Sequence, residues 1–334
     1  MNELRALEQD FWRAPSAHNT QPWTLTYLGT EAMVGWDPER CLPVGDPTGR
    51  DLRLSLGAFV ECCLIVCASA GLRVGFRPDP GPGRVGYLYG SEQPYRTPFT
   101  TKDVRRRGTN RGRYHQGRLP DDVVERLRAH SGAHSGAHSG AHSGAHSGAH
   151  SGAHSGADVR RLACRDLAGL LHAADLRQWA DADVTAELRE WLRLTPRHPL
   201  YRLDGLTDQA LALSGAETLA LRAALAGYPA LRRLGLPRLL AGAARGLLDY
   251  DGDVLVLVGP VADQVEQGRV LMRLWLELSA LGYATHPLSQ IVDCAATREH
   301  LAAKLGVEDP MTLLHVARVG RPLGPAARSA RLTG

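Results

Sequence analysis

The hydrophobic positions of this chain follow two different periods, one typical of helices and one typical of strands. Helical spacing occurs in five stretches: residues 3–13, 46–70, 120–129, 166–193 and 263–281. Strand-like runs, rich in β-branched and aromatic residues, occupy residues 24–36 (as a hairpin around Gly29), 84–90, 159–163, 253–258 and 313–319. We therefore expect an α+β fold in which strands and helices succeed one another in two rounds.

Glycine and proline indicate where several of these elements end. The run Asp46-Pro47-Thr48-Gly49 is typical of a helix start, and Gly71 and Gly282 are expected to end the two most apolar helices. Residues 195–245 contain Pro, Gly and Leu without a clean period. We expect this segment to be irregular.

The two most apolar helices resemble each other. Phe59–Leu72 ends in Ser-Ala-Gly-Leu, and Gly268–Tyr283 ends in Ser-Ala-Leu-Gly-Tyr. When Gly71 is aligned with Gly282, Arg-Pro at 77–78 and Pro-Leu at 287–288 fall at similar positions of the alignment. Two interpretations stay open: two buried helices of similar composition, or a duplicated module that folds as a fused pseudo-dimer.

Residues 130–157 are seven tandem copies of His-Ser-Gly-Ala. A histidine at every fourth position lies on one side of a helix and can bind a metal ion, but half of the positions are Gly or Ser, which oppose helix formation. We therefore interpret this low-complexity insert as a mobile surface loop that binds nickel or zinc only adventitiously, and we predict no native metal site.

Composition narrows the possible classes of protein. The 334 residues are 44% apolar and 22% charged with a net charge of +4, which is ordinary for a globular protein. The sequence lacks a clustered basic face with a nucleic-acid-recognition motif, so no nucleic-acid partner is expected. The N-terminus has no signal-peptide layout and no apolar run reaches membrane-spanning length, so we expect a cytoplasmic protein without a membrane partner. The six scattered cysteines are then expected to be reduced thiols.

Two short segments carry the strongest chemical signals. In residues 14–23, APSAHNTQPW, a proline-bounded turn presents the side chains of Ser16 and Asn19 together with backbone amides. Such a turn can hydrogen-bond a planar, polar heterocycle. In residues 107–111, RGTNR, two arginines flank Thr109 at alternate positions, so Arg107, Thr109 and Arg111 share one side of an extended chain. Arginine pairs with phosphate in bidentate fashion, and threonine adds a hydroxyl.

These two segments resemble motifs of the nitroreductase superfamily, which binds flavin mononucleotide (FMN). Residues 14–23 are similar to its flavin-edge motif APSxxNxQPW, and residues 107–111 to its R-x-S/T-x-R/K phosphate motif. The resemblance implies flavin-edge contacts from Pro15, Ser16, Asn19 and Gln21. It implies phosphate and ribityl contacts from Arg107, Thr109 and Arg111. His18, where the family varies, is expected to be a turn residue or else an acid near the flavin.

Two later segments are similar to further parts of the same family. Residues 282–290 resemble its Gly-x-x-x-x-Pro-[IL] stretch, which implies that Pro287, Leu288, Ser289 and Gln290 pass near flavin N5; an ordinary helix-to-strand loop is the alternative. Residues 315–322 resemble its C-terminal basic strand. Arg318 or Arg321 is therefore expected to complete the phosphate site, or to be a solvated surface residue.

The order of the motifs departs from the plain family pattern. The flavin-edge motif lies in the first half and the phosphate motif opens the second, so one complete site can form across two halves. This resembles the fused, single-flavin Acg-like branch. The implied fold is an internally duplicated nitroreductase-like α+β pseudo-dimer with antiparallel-rich sheets flanked by helices. We expect one half at residues 1–100 and the other at 101–334, including the insert at 130–157 and the lid at 195–245.

The resemblance implies an FMN-dependent oxidoreductase with ping-pong hydride transfer at flavin N5. NAD(P)H would be the reductant, and a nitroaromatic, quinone or natural-product intermediate would be the small-molecule substrate. The reverse direction, oxidation with O2 as acceptor, stays open. The rival hypothesis is a flavin-binding or storage protein whose lid blocks NAD(P)H, and a flavin-free scaffold is the third. A monomer suffices for the fused design, and a homodimer is not excluded.

Overall fold

The computed structural model describes residues 2–132 and 156–332, and these contain eleven α-helices and ten strands. The elements up to residue 106 are α1 (Asn2–Phe11), β1 (Trp23–Leu28), β2 (Glu31–Trp36), α2 (Arg50–Ser69), β3 (Val74–Gly81), β4 (Arg84–Gly90) and α3 (Thr101–Arg106). The later elements are α4 (Asp121–Gly132), β5 (Asp158–Ala163), α5 (Cys164–Ala180), α6 (Ala182–Trp191), β6 (Leu192–Arg193), β7 (Leu206–Thr207), α7 (Gly215–Leu231), α8 (Leu236–Ala243), β8 (Asp253–Val258), α9 (Gln264–Ala280), β9 (Ala284–Pro287), α10 (Gln290–Asp293), α11 (Ala295–Leu305) and β10 (Leu313–Gly320).

Two four-stranded antiparallel sheets share one strand order. The first sheet has the order β1-β2-β4-β3 and the second has β5-β8-β10-β9. In both sheets the second strand leads directly into a long helix, α2 or α9, and the third and fourth strands follow that helix. The α+β class with antiparallel sheets and flanking helices is thereby confirmed. The short parallel pair β6–β7 stands apart from both sheets.

The long helices α2 and α9 pack against each other at a reciprocal glycine contact. A Cβ at Gly57 would overlap the carbonyl oxygen of Val265, and a Cβ at Gly268 would overlap that of Leu54. Gly57 thus lies against Val265, which is three residues before Gly268, and Gly268 lies against Leu54, which is three residues before Gly57. Gly57 and Gly268 are separated by the same number of residues as Gly71 and Gly282, which the sequence comparison aligned.

The cores of the two sheets meet at this helix pair. The side chains of α2 fill the core behind the first sheet, where Phe59 is fully buried, and Met272 and Leu276 of α9 belong to the same cluster. The opposite side of α9, including Trp275, packs with strands of the second sheet. The two sheets are thus connected through α2 and α9.

Helix α2 also combines the length and composition of a membrane span, but it is an interior helix. Among the described residues it is the one helix that passes this test, and 78% of its most apolar window is buried inside the protein. It begins at Arg50, later than Pro47, because Gly49 adopts a left-handed conformation with φ of 67°. Asp46 nevertheless supports the helix start, since its Oδ2 accepts a hydrogen bond from the Leu52 amide at 2.9 Å.

The expectation of an irregular segment at 195–245 is wrong over much of its length. Helices α7 and α8 occupy Gly215–Leu231 and Leu236–Ala243. In α7 apolar residues lie on the solvent side as well as the buried side, so its amphipathic period is weak. The His-Ser-Gly-Ala insert lies mostly outside the described residues: α4 ends at Gly132 and β5 begins at Asp158. The lid, the insert and the boundary at 100/101 stay predictions.

Candidate functional site

The turn between α1 and β1 has an unusual backbone. Three residues that are not glycine have positive φ: His18 at 47°, Asn19 at 56° and Gln21 at 53°. This region of backbone space is uncommon for such residues, and its occupation costs free energy that the surroundings must offset. The Gln21 amide donates to Ser16 Oγ at 2.9 Å and so closes the turn.

Aromatic packing fixes the far end of this turn. The ring of Trp23 stacks on Phe59 of α2, with centroids 4.9 Å apart and planes at 10°. Trp12, just before the turn, meets the same ring edge-on at 5.3 Å. The turn therefore lies on the rigid central helix.

The arginine-bearing stretch 107–111 is extended and joins the second sheet. It follows α3, and Thr109 forms a parallel bridge with Thr285 at the start of β9. The Asn110 amide donates to the Thr285 carbonyl at 3.0 Å. Arg107 and Arg111 both point away from this pairing, and their guanidinium groups donate to the carbonyls of Arg13 and Ala210, respectively.

The turn and the arginine stretch line one cavity of about 420 Å³. The turn contributes Pro15, Ser16 and Asn19, and the stretch contributes every residue from Arg106 to Arg111. The C-terminal end of α9 and the residues after it supply Ser279 and Gly282–Ala284. Two segments that are about ninety residues apart in sequence thus face the same space.

The cavity wall is strongly cationic. It contains six arginines and no aspartate or glutamate: Arg13, Arg106, Arg107, Arg111, Arg328 and Arg331. Burial lowers the pKa of Arg107 to about 10, and burial likewise lowers the pKa of Arg111 to about 10. Nε and Nη1 of Arg107 are buried without a hydrogen-bond partner. Since charges buried without a counter-ion are costly, this wall is suited to an anion.

Arg328 and Arg331 of the C-terminal segment were missed at the sequence level. Burial lowers the pKa of Arg331 to about 9, and its Nη1 donates to Asn19 Oδ1 at 2.8 Å. The pattern Ala-Arg-Ser-Ala-Arg at 327–331 was a visible signal.

Gln21 does not line the cavity but connects three segments beneath it. Its side chain is fully buried. Nε2 donates to the Leu203 carbonyl at 2.9 Å, and Oε1 accepts from the Leu332 amide at 3.0 Å. Asn19 makes a similar connection, since its Nδ2 donates to the carbonyls of Gly205 and Ala330, each at 3.2 Å. These two side chains therefore hold residues 203–205 and the C-terminal segment against the turn.

The segment 202–205, RLDG, is fixed by a buried ion-pair network. Asp204 pairs with Arg40 at 3.0 Å and with Arg193 at 2.9 Å. Arg40 also donates to the Thr20 carbonyl at 2.6 Å. The carboxylate of Asp204 thus ties the segment to the turn.

Residues 287–290 are placed away from the cavity. Pro287 pairs with Ala317 in the second sheet, and Leu288 is fully buried in the core of that half. Ser289 precedes α10, and Gln290 Nε2 donates to Asp175 Oδ1 at 3.1 Å. The cavity wall instead uses the preceding residues 282–284, so a flavin contact from 287–290 stays an unsupported prediction.

Arg318 and Arg321 are also outside the cavity wall. The Arg318 guanidinium stacks over Tyr114 at 4.4 Å and donates to the carbonyls of Arg111 and Gly112 at 3.0 and 2.6 Å. It therefore positions the arginine stretch from behind. Arg321 is exposed and lies over the ring of Tyr283 at 4.6 Å. A direct phosphate contact from either residue stays a prediction.

His18 is near a buried group of charges. Burial lowers the pKa of His18 to about 4, although the nearby Asp51 raises it. Asp51 and Asp293 both accept from Arg50 Nη2 at 2.6 Å. A neutral His18 is consistent with a turn residue. Within residues 2–132 and 156–332, no group of His, Cys, Asp and Glu is arranged to hold a metal ion.

The chain is similar to proteins named as nitroreductases over part of its length. No family model matches the chain. Two proteins of Mycobacterium tuberculosis, from strains CDC 1551 / Oshkosh and ATCC 25618 / H37Rv, carry the provisional name NAD(P)H nitroreductase. Each is 41% identical over 70 residues, which is 20% of this chain and 20% of each relative. The match therefore spans about a fifth of the length of these relatives.

Two solved structures are more distant. One is the FMN-dependent nitroreductase NfnB from Mycobacterium smegmatis in complex with NADPH, with 21% identity and a TM-score of 0.35 over 66% of this chain and 86% of that chain. The other is the FMN- and NADPH-dependent nitroreductase NfnB from a Sphigopyxis strain, HMH, with 16% identity and a TM-score of 0.35 over 68% and 93%.

Proposed function

We propose that this chain is an FMN-dependent oxidoreductase of nitroreductase type that acts on a small organic molecule with NAD(P)H as reductant. The observation that carries the proposal is the cavity between the turn and the arginine stretch, whose wall has six arginines and no carboxylate. A volume of about 420 Å³ lies within the range of small-molecule and cofactor sites. The similarity to NAD(P)H nitroreductases supports the same conclusion.

The residues present fit a phosphate-bearing, polar heterocyclic ligand. The unpartnered Nε and Nη1 of Arg107 are donors that a phosphate group would satisfy. Thr109 and Arg111 line the same wall, and Ser16 and Asn19 lie across from them. When bound, FMN would supply the two-electron redox chemistry, which side chains alone do not provide.

The protein's own residues would bind, orient and cover this ligand. The arginines would offset the negative charge of the ligand at one end of the cavity. Arg318 holds the backbone of residues 111–112, so that Arg111 faces the cavity. Asn19 and Gln21 fasten residues 203–205 and the C-terminal segment over the turn. The C-terminal segment, which also lines the cavity, would limit access of water to the ligand.

Removing the two central cations tests the assignment. Arg107→Ala combined with Arg111→Ala is expected to weaken FMN binding strongly, because each charge-assisted hydrogen bond contributes about 1.5–3 kcal/mol. Titration of the purified protein with FMN measures the change. The matched control is Arg77→Ala with Arg84→Ala, two arginines of the first sheet that pair with acids away from the cavity. Unchanged flavin affinity in the folded double variant would refute the site.

A second candidate, flavin binding or storage without reductase activity, is favoured by the closure of the turn. Residues 203–205 and 330–332 are both hydrogen-bonded to Asn19 or Gln21. NADPH added anaerobically to the flavin-loaded protein separates the two functions. Loss of the flavin's visible absorption supports the oxidoreductase. Retained absorption, with reduction by dithionite still possible, supports storage or a different electron donor.

The organisation of the chain is part of the same proposal. We infer that residues 1–100 and 101–334 are two related halves, supported by the shared strand order of the sheets and the reciprocal contact of Gly57 and Gly268. One such chain would form one complete site as a monomer. The substrate class, the direction of the redox reaction and a cytoplasmic location belong to this proposal as well.

A further inference from the structure

A continuous apolar and basic surface lies on residues 215–245, away from the contacts that form the cavity. Helix α7, the turn at 232–234 and helix α8 follow one another and pack together. Four of their leucines are exposed, and they are Leu219 (65%), Leu231 (41%), Leu234 (80%) and Leu239 (71%). We call residues 215–245 the leucine–arginine surface.

The exposed side of α7 carries many apolar residues. Thr218, Leu225 and Tyr228 face the protein, and the Tyr228 hydroxyl donates to the Trp179 carbonyl at 2.5 Å. The exposed positions include Leu219 and five alanines, Ala216, Ala220, Ala223, Ala226 and Ala230, next to the charged Glu217 and Arg222. A helix of a globular protein usually presents charged residues on that side. The apolar outward side therefore needs a partner that shields it from water.

The same surface carries the positive charge of the whole chain. Residues 215–245 contain one glutamate and five arginines: Arg222, Arg232, Arg233, Arg238 and Arg245. Their net charge of +4 equals that of the full chain, so the remaining residues sum to zero. Within residues 2–132 and 156–332, none of these five arginines forms an ion pair with a carboxylate.

This charge argues against a second copy of the chain as the partner. A two-fold interface would bring the surface against itself, and the arginines of both copies would then face each other. Like charges across an interface are unfavourable. An anionic partner with an apolar interior beneath its charge satisfies both the leucines and the arginines.

We propose that the leucine–arginine surface docks on the headgroup region of an anionic phospholipid bilayer. Leu219, Leu234 and Leu239 would enter the boundary between headgroups and acyl chains, and the arginines would pair with lipid phosphates. Docking is peripheral, because α7 and α8 remain packed on the protein and α2 stays buried. This proposal departs from the prediction of no membrane partner, which rested on the lack of a membrane-spanning apolar run.

Vesicle flotation of the full chain tests the proposal. The protein is mixed at low salt with vesicles of phosphatidylcholine alone, or of phosphatidylcholine with about one-third phosphatidylglycerol. We expect flotation with the anionic vesicles and not with the neutral ones, and release as salt screens the charges. Protein that stays in the soluble fraction with anionic vesicles overturns the proposal.

Two variant pairs assign the effect to this surface. Leu234→Ser with Leu239→Ser is expected to abolish most flotation, whereas the control Leu28→Ser, at a leucine 51% exposed on β1, retains it. Arg233→Gln with Arg238→Gln is expected to weaken binding by about fivefold for each charge removed. Arg77→Gln with Arg84→Gln is the control for charge.

We expect every variant to fold, because all of the substituted positions are at the surface. Thermal unfolding of each variant checks this expectation. Equal losses in the surface variants and their controls contradict the proposal. A dimer in gel filtration that Leu234→Ser with Leu239→Ser dissociates, without any vesicle binding by the parent chain, also contradicts it, since the partner is then a second copy.

Discussion

At the scale of single residues, the turn at 16–21 shows how strained backbone and ligand chemistry coincide. His18, Asn19 and Gln21 adopt positive φ, which costs of the order of 1–3 kcal/mol for each residue. The hydrogen bond from the Gln21 amide to Ser16 Oγ and the contacts of both amide side chains offset this cost. The strain directs Asn19 toward the cavity and Gln21 beneath it.

Arg331, rather than Arg321, is expected to contribute to flavin binding. Arg331→Ala removes a cation from the cavity wall, so FMN affinity should fall by about tenfold or more. Arg321→Ala, at an exposed residue over Tyr283, should change the affinity by less than about threefold. Both affinities can be measured by fluorescence titration with FMN. An equal or larger loss in the Arg321 variant would contradict this assignment.

His315 is expected to make the protein sensitive to acid. It is buried against Trp275, with ring centroids 5.3 Å apart. Burial lowers the pKa of His315 from 6.5 to about 4. The charge of Asp51 opposes this shift, and the charge of Arg50 adds to it. The unfolded chain binds a proton at His315 more tightly than the folded protein does. The stability contributed by the neutral ring is therefore present above pH 6.5 and is lost as the pH falls toward 4.

From pH 7 to pH 5 this residue should cost about 2 kcal/mol of the free energy of unfolding. His315→Gln cannot take up the proton, so its unfolding free energy should fall less over the same interval. Urea unfolding at both pH values measures the difference. The idea fails if the two proteins lose stability in parallel.

At the scale of elements, the crossing of α2 and α9 depends on glycine. Gly57 lies against the Val265 carbonyl and the Gly268 Cα. Without a Cβ the two backbones come close enough for Phe59, Met272 and Leu276 to share one core. The periodic apolar pattern predicted both helices but not this close approach.

Gly57→Ala is expected to destabilise the protein, because the added methyl group overlaps backbone that cannot rotate away. Overpacking of this kind typically costs about 1–3 kcal/mol. Gly169→Ala in α5, where a Cβ meets nothing within 4 Å, should instead stabilise the protein by about 0.5–1 kcal/mol through helix propensity. Thermal unfolding of the two variants provides the comparison. Similar effects of the two substitutions would show that the crossing is not tight.

At the scale of the whole molecule, the site is assembled from segments that are far apart in the chain. Parts of the turn, the stretch at 107–111 and the C-terminal segment line one cavity, and residues 203–205 are hydrogen-bonded to the turn. Asp204 is central to this assembly, since it joins Arg193 of the second half to Arg40 near the turn.

Asp204→Asn is expected to loosen the cover of the site. It leaves Arg193 buried without a carboxylate, which should lower the unfolding free energy by about 3–5 kcal/mol. Bound flavin should also dissociate faster, because residues 203–205 lose their tie to the turn. Urea unfolding and stopped-flow flavin release measure both effects. Asp79→Asn, in an exposed pair with Arg84, is the control and should change stability by less than about 1 kcal/mol. If flavin release from the Asp204 variant matches that of the control, the cover does not depend on this carboxylate.

The amino-acid sequence by itself determined most helices and strands, because apolar period, glycine and proline act locally. It also predicted Ser16, Asn19, Arg107 and Arg111 as site residues, and these four line the cavity. Tertiary structure alone decided that residues 282–284 rather than 287–290 reach the cavity. It also brought the distant Arg331 to Asn19. Helix α7 escaped prediction because exposed leucine and alanine side chains weaken its amphipathic period, and only the folded chain shows which side meets solvent.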